Sequence, residues 1–332
     1  MVKRASGDVT APAVGEGRRG VVVAGVAVGL AGVVGLHRVI PNSPGRVGSL
    51  VESFLPWSGV VVVLLFVVAL ARRSGVGLVA LLLPVGVWVH SFGGLLLPPP
   101  DVGARELVVV QHNVSDENPD PAGTARALLA AGGDLVALEE VVTPALAVYE
   151  DVLRVDYPHH VVHGTVGLWS KFPVEKEQLV DIRPRAFEEG WSRGLRAVVR
   201  TPYGDVAAYV AHLPSVRVGV RGLASSPRDE SARMLGDIVR GEEVKTVILM
   251  GDLNSTVDDR GLEPLTSQLN VAERGFAFSY PAALPLARID QVLARSATVG
   301  HIRTLPATGS DHLPVAARVT LDPLQASGRL AP

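Results

Sequence analysis

Three long runs without a charged residue lie in the N-terminal part of the chain and constrain its architecture more than any other feature. They are GVVVAGVAVGLAGVVGL (20–36), FLPWSGVVVVLLFVVALA (54–71) and VGLVALLLPVGVWVHSFGGLLL (76–97). At about 1.5 Å per residue, each run is predicted to be long enough to cross roughly 30 Å of hydrocarbon. Core helices of soluble domains are seldom apolar on every side, and a cleaved signal peptide would explain only the first run. We therefore predict three transmembrane helices within residues 20–97.

Basic residues flank these runs unevenly, which predicts an orientation. Those on one side are Lys3, Arg4, Arg18, Arg19, Arg72 and Arg73. Those on the other side are Arg38, Arg46 and Arg105. Because the richer side faces the cytoplasm, residues 1–19 are predicted to be a cytoplasmic tail, and everything after Leu97 to be extracytoplasmic. The chain has no cysteine, which excludes disulfides without opposing a multi-pass protein of the cell membrane with an outer domain.

The pattern changes after the proline-rich stretch at residues 98–104, which we interpret as a linker. Short runs rich in valine and leucine then alternate with amphipathic stretches, and the strongest of these runs are Glu106–Val114, Asp134–Val141, Lys245–Asn254 and His312–Leu321. Interleaved strands and helices predict an α/β domain with layered packing over residues 105–322. Residues 323–332 are then a C-terminal tail.

Charge also divides the chain and bears on its partners. Residues 1–99 hold eight Lys/Arg and three Asp/Glu, a net of +5, and the remainder holds 23 against 30, a net of −7. An acidic domain without a basic cluster is a poor electrostatic match for a nucleic-acid backbone. We therefore do not expect a nucleic-acid partner.

Several predicted strands end abruptly in polar or ionisable side chains. These are Asn113, Glu140, His212, Asp252 with Asn254, Asp290, and Asp311 with His312. Each alone is more often a turn cap or a satisfied surface residue than a catalytic group. Strand ends at one rim of a sheet are, however, where α/β proteins place ligands, so the series predicts a shared site. Adjacent residues of a strand point to opposite faces, so both Asp311 and His312 can reach that site only if a turn begins there.

At these positions the sequence resembles the endonuclease/exonuclease/phosphatase superfamily, which includes DNase I-like nucleases and inositol phosphatases. The motifs that carry the resemblance stand in the family's order as HNV (112–114), LEEV (138–141), AHL (211–213), GDLN (251–254), RIDQV (288–292) and SDHLPV (310–315). The departures are Glu139 for glutamine, Leu253 for phenylalanine and Gln291 for an aromatic residue. The resemblance implies a layered DNase I-like α/β sandwich, preceded here by the three transmembrane helices.

The resemblance also implies roles for the polar residues. Glu140 would be the principal ligand of Mg²⁺ or Mn²⁺, with Asn113 and Asp311 completing the site. The catalytic group would comprise Asp252 as the residue that orients or deprotonates water, Asn254 and His212 as phosphate contacts, and His312 oriented by Asp290. Oxygen donors suit such hard cations, and the chain lacks the cysteines and the HExxH pattern typical of zinc sites.

The predicted function is therefore that of a metal-dependent phosphoesterase acting outside the membrane on a lipid-linked or cell-wall phosphate or pyrophosphate. The order of spans and domain looks like the actinobacterial teicoplanin-resistance branch called VanJ, which implies a contribution to glycopeptide resistance. A membrane-tethered nuclease is the alternative. A third interpretation, a non-enzymatic envelope protein, is disfavoured because every expected catalytic residue is present. The roles of Arg193, Arg196 and Arg217 stay open, between a second phosphate contact and a solvated surface position.

The charge pattern makes a testable prediction about topology. A reporter active only outside the cytoplasm, fused after residue 322, should be active, because an odd number of spans places that end outside. A cytoplasmic reporter at the same position should be silent. The opposite pair of results would reverse the orientation.

Overall fold

The computed structural model describes residues 14–220 and 222–323, with side chains of the first helix described from Gly20 onward. The N-terminal tail through residue 13 and the C-terminal tail from residue 324 lie outside the described residues. The chain divides into two units. One comprises the chain up to Ile40 together with Phe54–Gly93, and the other comprises Pro41–Ser53 together with the chain from Gly94 onward.

Helices dominate the described residues before the linker. They are α1 (Val14–Gly35), α2 (Val47–Ser53), α3 (Ser58–Ala71), α4 (Gly75–Ala80) and α5 (Leu82–Phe92). Of these, α2 belongs to the second unit, and the other four form the first. Within the first unit Val23, Ala27, Val62, Ala69 and Leu81 form a small buried cluster.

One stretch of described helix, Gly75–Leu96, is both long and apolar enough to cross a membrane. A second candidate joins Val47–Ser53 to Leu55–Ala71, but these two parts are bent by 62° at a break between them. The described apolar helix Gly20–Gly35 is too short to meet the length requirement. The three predicted spans thus coincide with helices, while only the third meets the length requirement by itself. Three membrane crossings remain a prediction.

The second unit is built on two large sheets. Its strands are β1 (Glu106–Asn113), β2 (Leu135–Glu139), β3 (His159–His163), β4 (Val166–Ser170), β5 (Val174–Leu179), β6 (Gly194–Thr201), β7 (Gly204–Ala211), β8 (Val218–Gly219), β9 (Gly222–Leu223), β10 (Thr246–Asp252), β11 (Asp290–Arg295), β12 (Ala297–Thr304) and β13 (Val315–Leu321). The first sheet has the order β12-β13-β1-β2-β4-β3, and the second has β11-β10-β7-β6-β5. The short strands β8 and β9 form a separate hairpin.

The two sheets pack face to face through alternate apolar side chains. Val109 and Leu135 of the first sheet share one buried cluster with Val210 and Ile248 of the second. Period-2 alternation places the other side chains on the outer faces, where helices cover them. The covering helices are α6 (Pro121–Ala131) and α7 (Ala145–Leu153) on the first sheet, and α8 (Ser226–Arg240) and α9 (Glu263–Thr266) on the second. The predicted layered α/β sandwich is confirmed.

Parallel pairing at the centre of each sheet places polar strand ends together. In the first sheet β1 and β2 run parallel with Asn113 opposite Glu139, and in the second β7 and β10 run parallel. The antiparallel neighbour of β10 begins at Asp290, directly opposite Asp252. The strand predicted from His312 starts later, at Val315, because the backbone bends over residues 309–312, as Asp311 and His312 require in order to reach one site.

Candidate active site

Six of the eight predicted site residues line a single cleft with a volume of about 330 Å³. The lining residues are Asn113, Ser115, Asp116, Glu117, Glu140, Ser215, Val216, Arg217, Asp252, Asn254, Tyr280, Ile289, Asp311 and His312. The two predicted residues outside this set, His212 and Asp290, are buried and contact it. His212 Nε2 lies 3.5 Å from Asp252 Oδ2, and Asp290 Oδ2 lies 2.8 Å from His312 Nδ1.

The pair of His312 and Asp290 is the most constrained part of the cleft. Asp290 also accepts hydrogen bonds from Ser279 Oγ at 2.6 Å and from Gln111 Nε2 at 3.0 Å. Burial alone would lower the pKa of His312, but the carboxylates of Asp290 and Asp252 outweigh it and raise that pKa. Burial likewise works to raise the pKa of Asp290, and the adjacent imidazolium reverses the shift. The pair is therefore charged, with Nδ1–H donating to Asp290 and leaving Nε2–H as the donor opposite it.

Asp252 occupies the floor of the cleft and is held by amides. The Asn113 side chain donates to Oδ2 at 3.1 Å, and Asn254 donates through its backbone to Oδ1 at 2.9 Å and through its side chain to Oδ2 at 3.2 Å. Burial raises the pKa of Asp252, the charge of Asp290 adds to the shift, and His312 opposes it. A raised pKa makes this carboxylate a better proton acceptor than an exposed aspartate.

The position before Asp252, at the end of β10, requires a glycine, Gly251. Its φ is +153°, and a Cβ at this position would lie 1.9 Å from the backbone oxygen of Ala211 in the neighbouring strand. No L side chain fits such an approach. The glycine of the GDLN motif is therefore explained by backbone packing, and it needs no part in the reaction.

His212 is buried as a neutral ring. Burial lowers its pKa well below the usual range, and the charges of Arg193 and His312 act in the same direction. Arg193 Nη1 lies 3.0 Å from Nδ1 and 3.2 Å from Nε2, and Nε2 also lies 3.5 Å from Asp252 Oδ2 and 3.8 Å from Glu140 Oε1. A phosphate contact by His212 would thus be a neutral N–H donation.

The three predicted metal ligands, Glu140, Asn113 and Asp311, all border the cleft. Glu140 leaves β2 with φ +59°, and its Oε2 accepts from the backbone N–H of Asp116 at 3.2 Å. Carboxylate and amide oxygens are the donors that hard divalent cations take, so the donor set fits magnesium.

A second group of candidate ligands adjoins the first. The ligating atoms of Asp252, Asp290 and His312 lie within 4.8 Å of one another, and all three residues are buried. The hydrogen bond between His312 and Asp290 already uses one atom of each, so the oxygen-rich side at Glu140 and Asp311 is better suited to a cation.

Adjacent glutamates have opposite environments. Glu140 faces the cleft, whereas Glu139 is fully buried and its Oε2 accepts from Gln111 Nε2 at 2.7 Å. Burial raises the pKa of Glu139 well above its ordinary value, and the charge of Asp290 adds to the shift. A protonated Glu139 would resemble the glutamine expected at this position in shape and in carrying no charge.

Three residues that contact the catalytic pair were not found from the sequence: Gln111, Ser279 and Tyr280. Gln111 bridges Glu139 and Asp290, and the Tyr280 ring lies 4.8 Å from the His312 ring between centroids. Ser279 and Tyr280 belong to an irregular loop without periodicity. Gln111 could have been suspected, because it is a polar residue that follows the apolar run of β1.

The three arginines left open differ in their surroundings. Arg196 forms a bidentate pair with Glu242, at 2.8 and 2.9 Å, which is a structural role. Arg193 packs against His212, with its guanidinium carbon 5.5 Å from the Trp191 ring centroid. Arg217 lines the cleft itself and is exposed.

The fold and the site define a hydrolase of the DNase I-like class. The family model described as "Endonuclease/Exonuclease/phosphatase family" matches residues 110–312, which is more than half of the chain, and the chain belongs to that family.

Solved structures of similar fold include three from bacteria. An endonuclease/exonuclease/phosphatase from Beutenbergia cavernae is 21% identical, with a TM-score of 0.55, and the match covers 66% of this chain and 72% of that one. A beta toxin mutant from Staphylococcus aureus with bound magnesium ions is 13% identical, with a TM-score of 0.52 and coverage of 65% and 100%. Sphingomyelinase C from Streptomyces griseocarneus is 17% identical, with a TM-score of 0.50 and coverage of 64% and 99%. No curated protein sequence matches this chain.

The geometry of His312 and Asp290 generates a double-mutant prediction. His312→Ala should lower the turnover rate by about a hundredfold or more, the scale of a general acid–base contribution. Asp290→Asn should lower it less, because Asp290 only orients and charges the ring. Combining both should cost little beyond His312→Ala alone, since residues that act as a unit are not additive.

Turnover per folded molecule and the melting temperature, measured on all three variants, check this prediction. Losses that simply multiply would show that the two residues do not act as a pair. A fall in melting temperature with unchanged turnover would instead assign His312 a purely structural role.

Proposed function

We propose that this protein is a membrane-anchored, metal-dependent phosphoesterase that hydrolyses a lipid-linked phosphate or pyrophosphate outside the cytoplasm. The observation that carries the proposal is the charged pair of His312 and Asp290 beside Asp252, in a cleft that also contains the carboxylates of Glu140 and Asp311. A proton donor, a proton acceptor and a set of hard-cation ligands in one cleft are what phosphoester hydrolysis requires.

Metal binding, activation of water and proton donation would each be carried out by different residues of the cleft. Glu140, Asn113 and Asp311 would hold Mg²⁺, or Mn²⁺ in its place, which when bound neutralises charge on phosphoryl oxygens. Asp252 would orient a water and accept its proton. His312, kept protonated by its carboxylate neighbours, would donate from Nε2 to a phosphoryl or leaving oxygen.

Two residues would support this arrangement. Asn254 donates to Asp252 and to the backbone oxygen of Leu213, which fixes the carboxylate. His212 would add a neutral N–H where negative charge develops, a contribution that does not require the ring to be protonated.

The apolar helices support a multi-pass anchor with three spans and a cytoplasmic N-terminus. Large apolar side chains on several of these helices, including Val21, Val63 and Leu82, are at least 60% exposed. Such side chains need an apolar surrounding, and a lipid bilayer supplies it. An anchor in the bilayer that holds the substrate would raise the effective concentration of that substrate.

Charge around the cleft supports a small phosphate head group over a nucleic-acid backbone. Among the described residues, five carboxylates line the cleft against one arginine, Arg217. Nucleic-acid binding depends on several Lys or Arg contacts to phosphates. The resemblance to the VanJ branch favours a peptidoglycan lipid carrier such as undecaprenyl pyrophosphate, and with it a role in glycopeptide resistance.

A side-by-side assay tests the proposed function. The purified full-length protein with Mg²⁺ should release phosphate from an isoprenyl pyrophosphate faster than it cleaves phospholipid or plasmid DNA. EDTA should abolish the activity and Mg²⁺ or Mn²⁺ should restore it, because the candidate ligands are oxygen donors. Glu140→Gln should weaken both the rate and the metal dependence.

Two results would overturn the proposal. Full activity in EDTA would exclude the metal-dependent mechanism. Faster nicking of plasmid DNA than hydrolysis of either lipid would favour the membrane-tethered nuclease instead.

Arg217 provides a test of substrate choice within the same cleft. If it contacts the second phosphate of a pyrophosphate, Arg217→Ala should raise KM for isoprenyl pyrophosphate by about tenfold, the scale of one charge-assisted contact. KM for a monophosphate ester should hardly change, and Arg217→Lys should retain part of the affinity. Arg185→Ala, at an exposed arginine outside the cleft, is the matched control. Equal effects on both substrates would remove Arg217 from substrate recognition.

A further inference from the structure

Residues 41–53 lie in sequence between the first two apolar runs, yet they pack with the unit that contains the cleft. This segment, which we call the inter-helix segment, comprises a turn at residues 41–46 and helix α2. Its Glu52 is the only acidic residue between Gly17 and Pro100, and it is fully buried. A carboxylate in an otherwise apolar region is costly to bury unless it is fully paired.

Arg260 provides that pairing. Its guanidinium donates to both carboxylate oxygens of Glu52, from Nε at 2.8 Å and from Nη2 at 2.8 Å, and its backbone N–H donates at 2.9 Å. Two-pronged pairs of this kind fix geometry as well as supplying energy. Because the backbone of Arg260 is also held, Glu52 determines where the end of the loop after β10 lies.

A buried network continues from this loop to the catalytic residues. Asp259, next to Arg260, accepts from Arg228 Nη2 at 2.7 Å and from Ser255 Oγ at 2.9 Å. Arg228 Nη1 also contacts the backbone oxygen of Asn254 at 3.4 Å. Arg228 and Asp259 are each 1% exposed, so these ion pairs are shielded from solvent. Glu52 is thus connected through a few buried contacts to the loop that carries Asp252 and Asn254.

The inter-helix segment also contacts the β8–β9 hairpin, which adjoins the cleft residue Arg217. Gly45 accepts a backbone hydrogen bond from Leu223 of β9 at 3.0 Å, and Arg46 pairs with Asp229 at the start of α8. Gly222 packs so closely on Gly45 that a Cβ there would lie 2.0 Å from the Gly45 oxygen. Arg217, which lines the cleft, accepts a backbone hydrogen bond from Ala224, at the end of the same hairpin.

We propose that the inter-helix segment is a positioning element of the active site. It fixes the Asp252–Arg260 loop through Glu52 and the β8–β9 hairpin through Gly45 and Arg46. Neither Glu52 nor Arg46 touches the cleft, so they act only through the residues that line it. The proposal concerns the geometry of the cleft and holds for whichever phosphoester the enzyme cleaves.

The full-length variant Glu52→Gln tests this proposal. It removes the charge and one of two acceptor oxygens, and kcat should fall by about tenfold or more, the scale seen when partners that orient an active-site ligand are lost. The matched control is Glu106→Gln, which breaks a similar two-pronged pair with Arg318, at 2.8 and 2.9 Å, between β1 and β13. The control should lose stability without losing kcat. Glu52→Asp should recover part of the rate.

Hydrogen exchange supplies a readout that does not depend on the substrate. In Glu52→Gln, amides of residues 253–262 should exchange faster, while those of β1 and β13 stay protected. If Glu52→Gln folds poorly, Arg46→Ala keeps the test available, because that side chain is partly exposed and its loss should loosen residues 222–229.

The outcomes separate this proposal from the proposed function. A wild-type protein that cleaves none of the lipid or DNA substrates would contradict the function and leave the exchange test decisive. Unchanged kcat together with unchanged exchange at residues 253–262 would overturn the positioning role. An equal fall of kcat in Glu106→Gln would reduce Glu52 to a general stabilising residue.

Discussion

Asp290 begins β11 in one sheet, and His312 lies three residues before the start of β13 in the other, so the pair joins the two layers of the sandwich at one edge. Gln111, from β1, donates to the same carboxylate. A buried charge is tolerated only when it is paired and hydrogen-bonded, so the strand ends, the bend at residues 309–312 and the cleft must all form together.

The sequence predicted the parts of the site that follow from strand geometry. Polar residues at the ends of apolar runs indicated a common rim of the sheets. The adjacent candidates Asp311 and His312 indicated a turn, because neighbouring residues of a strand point to opposite faces. The sequence did not predict the groups that set the pKa values, because Ser279 and Tyr280 lie in a loop without periodicity. The residue pattern alone did not separate the environments of Glu139 and Glu140, since the end of β2 between them is decided by tertiary packing; only the family resemblance assigned Glu140 to the metal. The residue spacing contained no signal that Glu52 reaches Arg260, which is more than two hundred positions away.

The apolar helices and the hydrolase unit are linked by more than the predicted linker at 98–104. Residues 41–53 pack with the hydrolase unit although apolar helices precede and follow them in the chain. A domain boundary drawn from composition at residue 105 would remove Glu52 and leave the partly buried guanidinium of Arg260 without its carboxylate partner. The catalytic unit is therefore discontinuous in sequence, which a search for a single stretch of α/β pattern could not detect.

Strand ends from the two sheets form one cleft whose carboxylate and amide oxygens suit a hard divalent cation. A crystal of the full-length protein soaked with Mn²⁺ and measured near the manganese absorption edge would locate that cation. We expect an anomalous peak in the cleft, within coordination distance of the side-chain oxygens of Glu140 and Asp311 and close to Asn113. A peak confined to another surface, or an empty cleft at Mn²⁺ concentrations that sustain full activity, would contradict it.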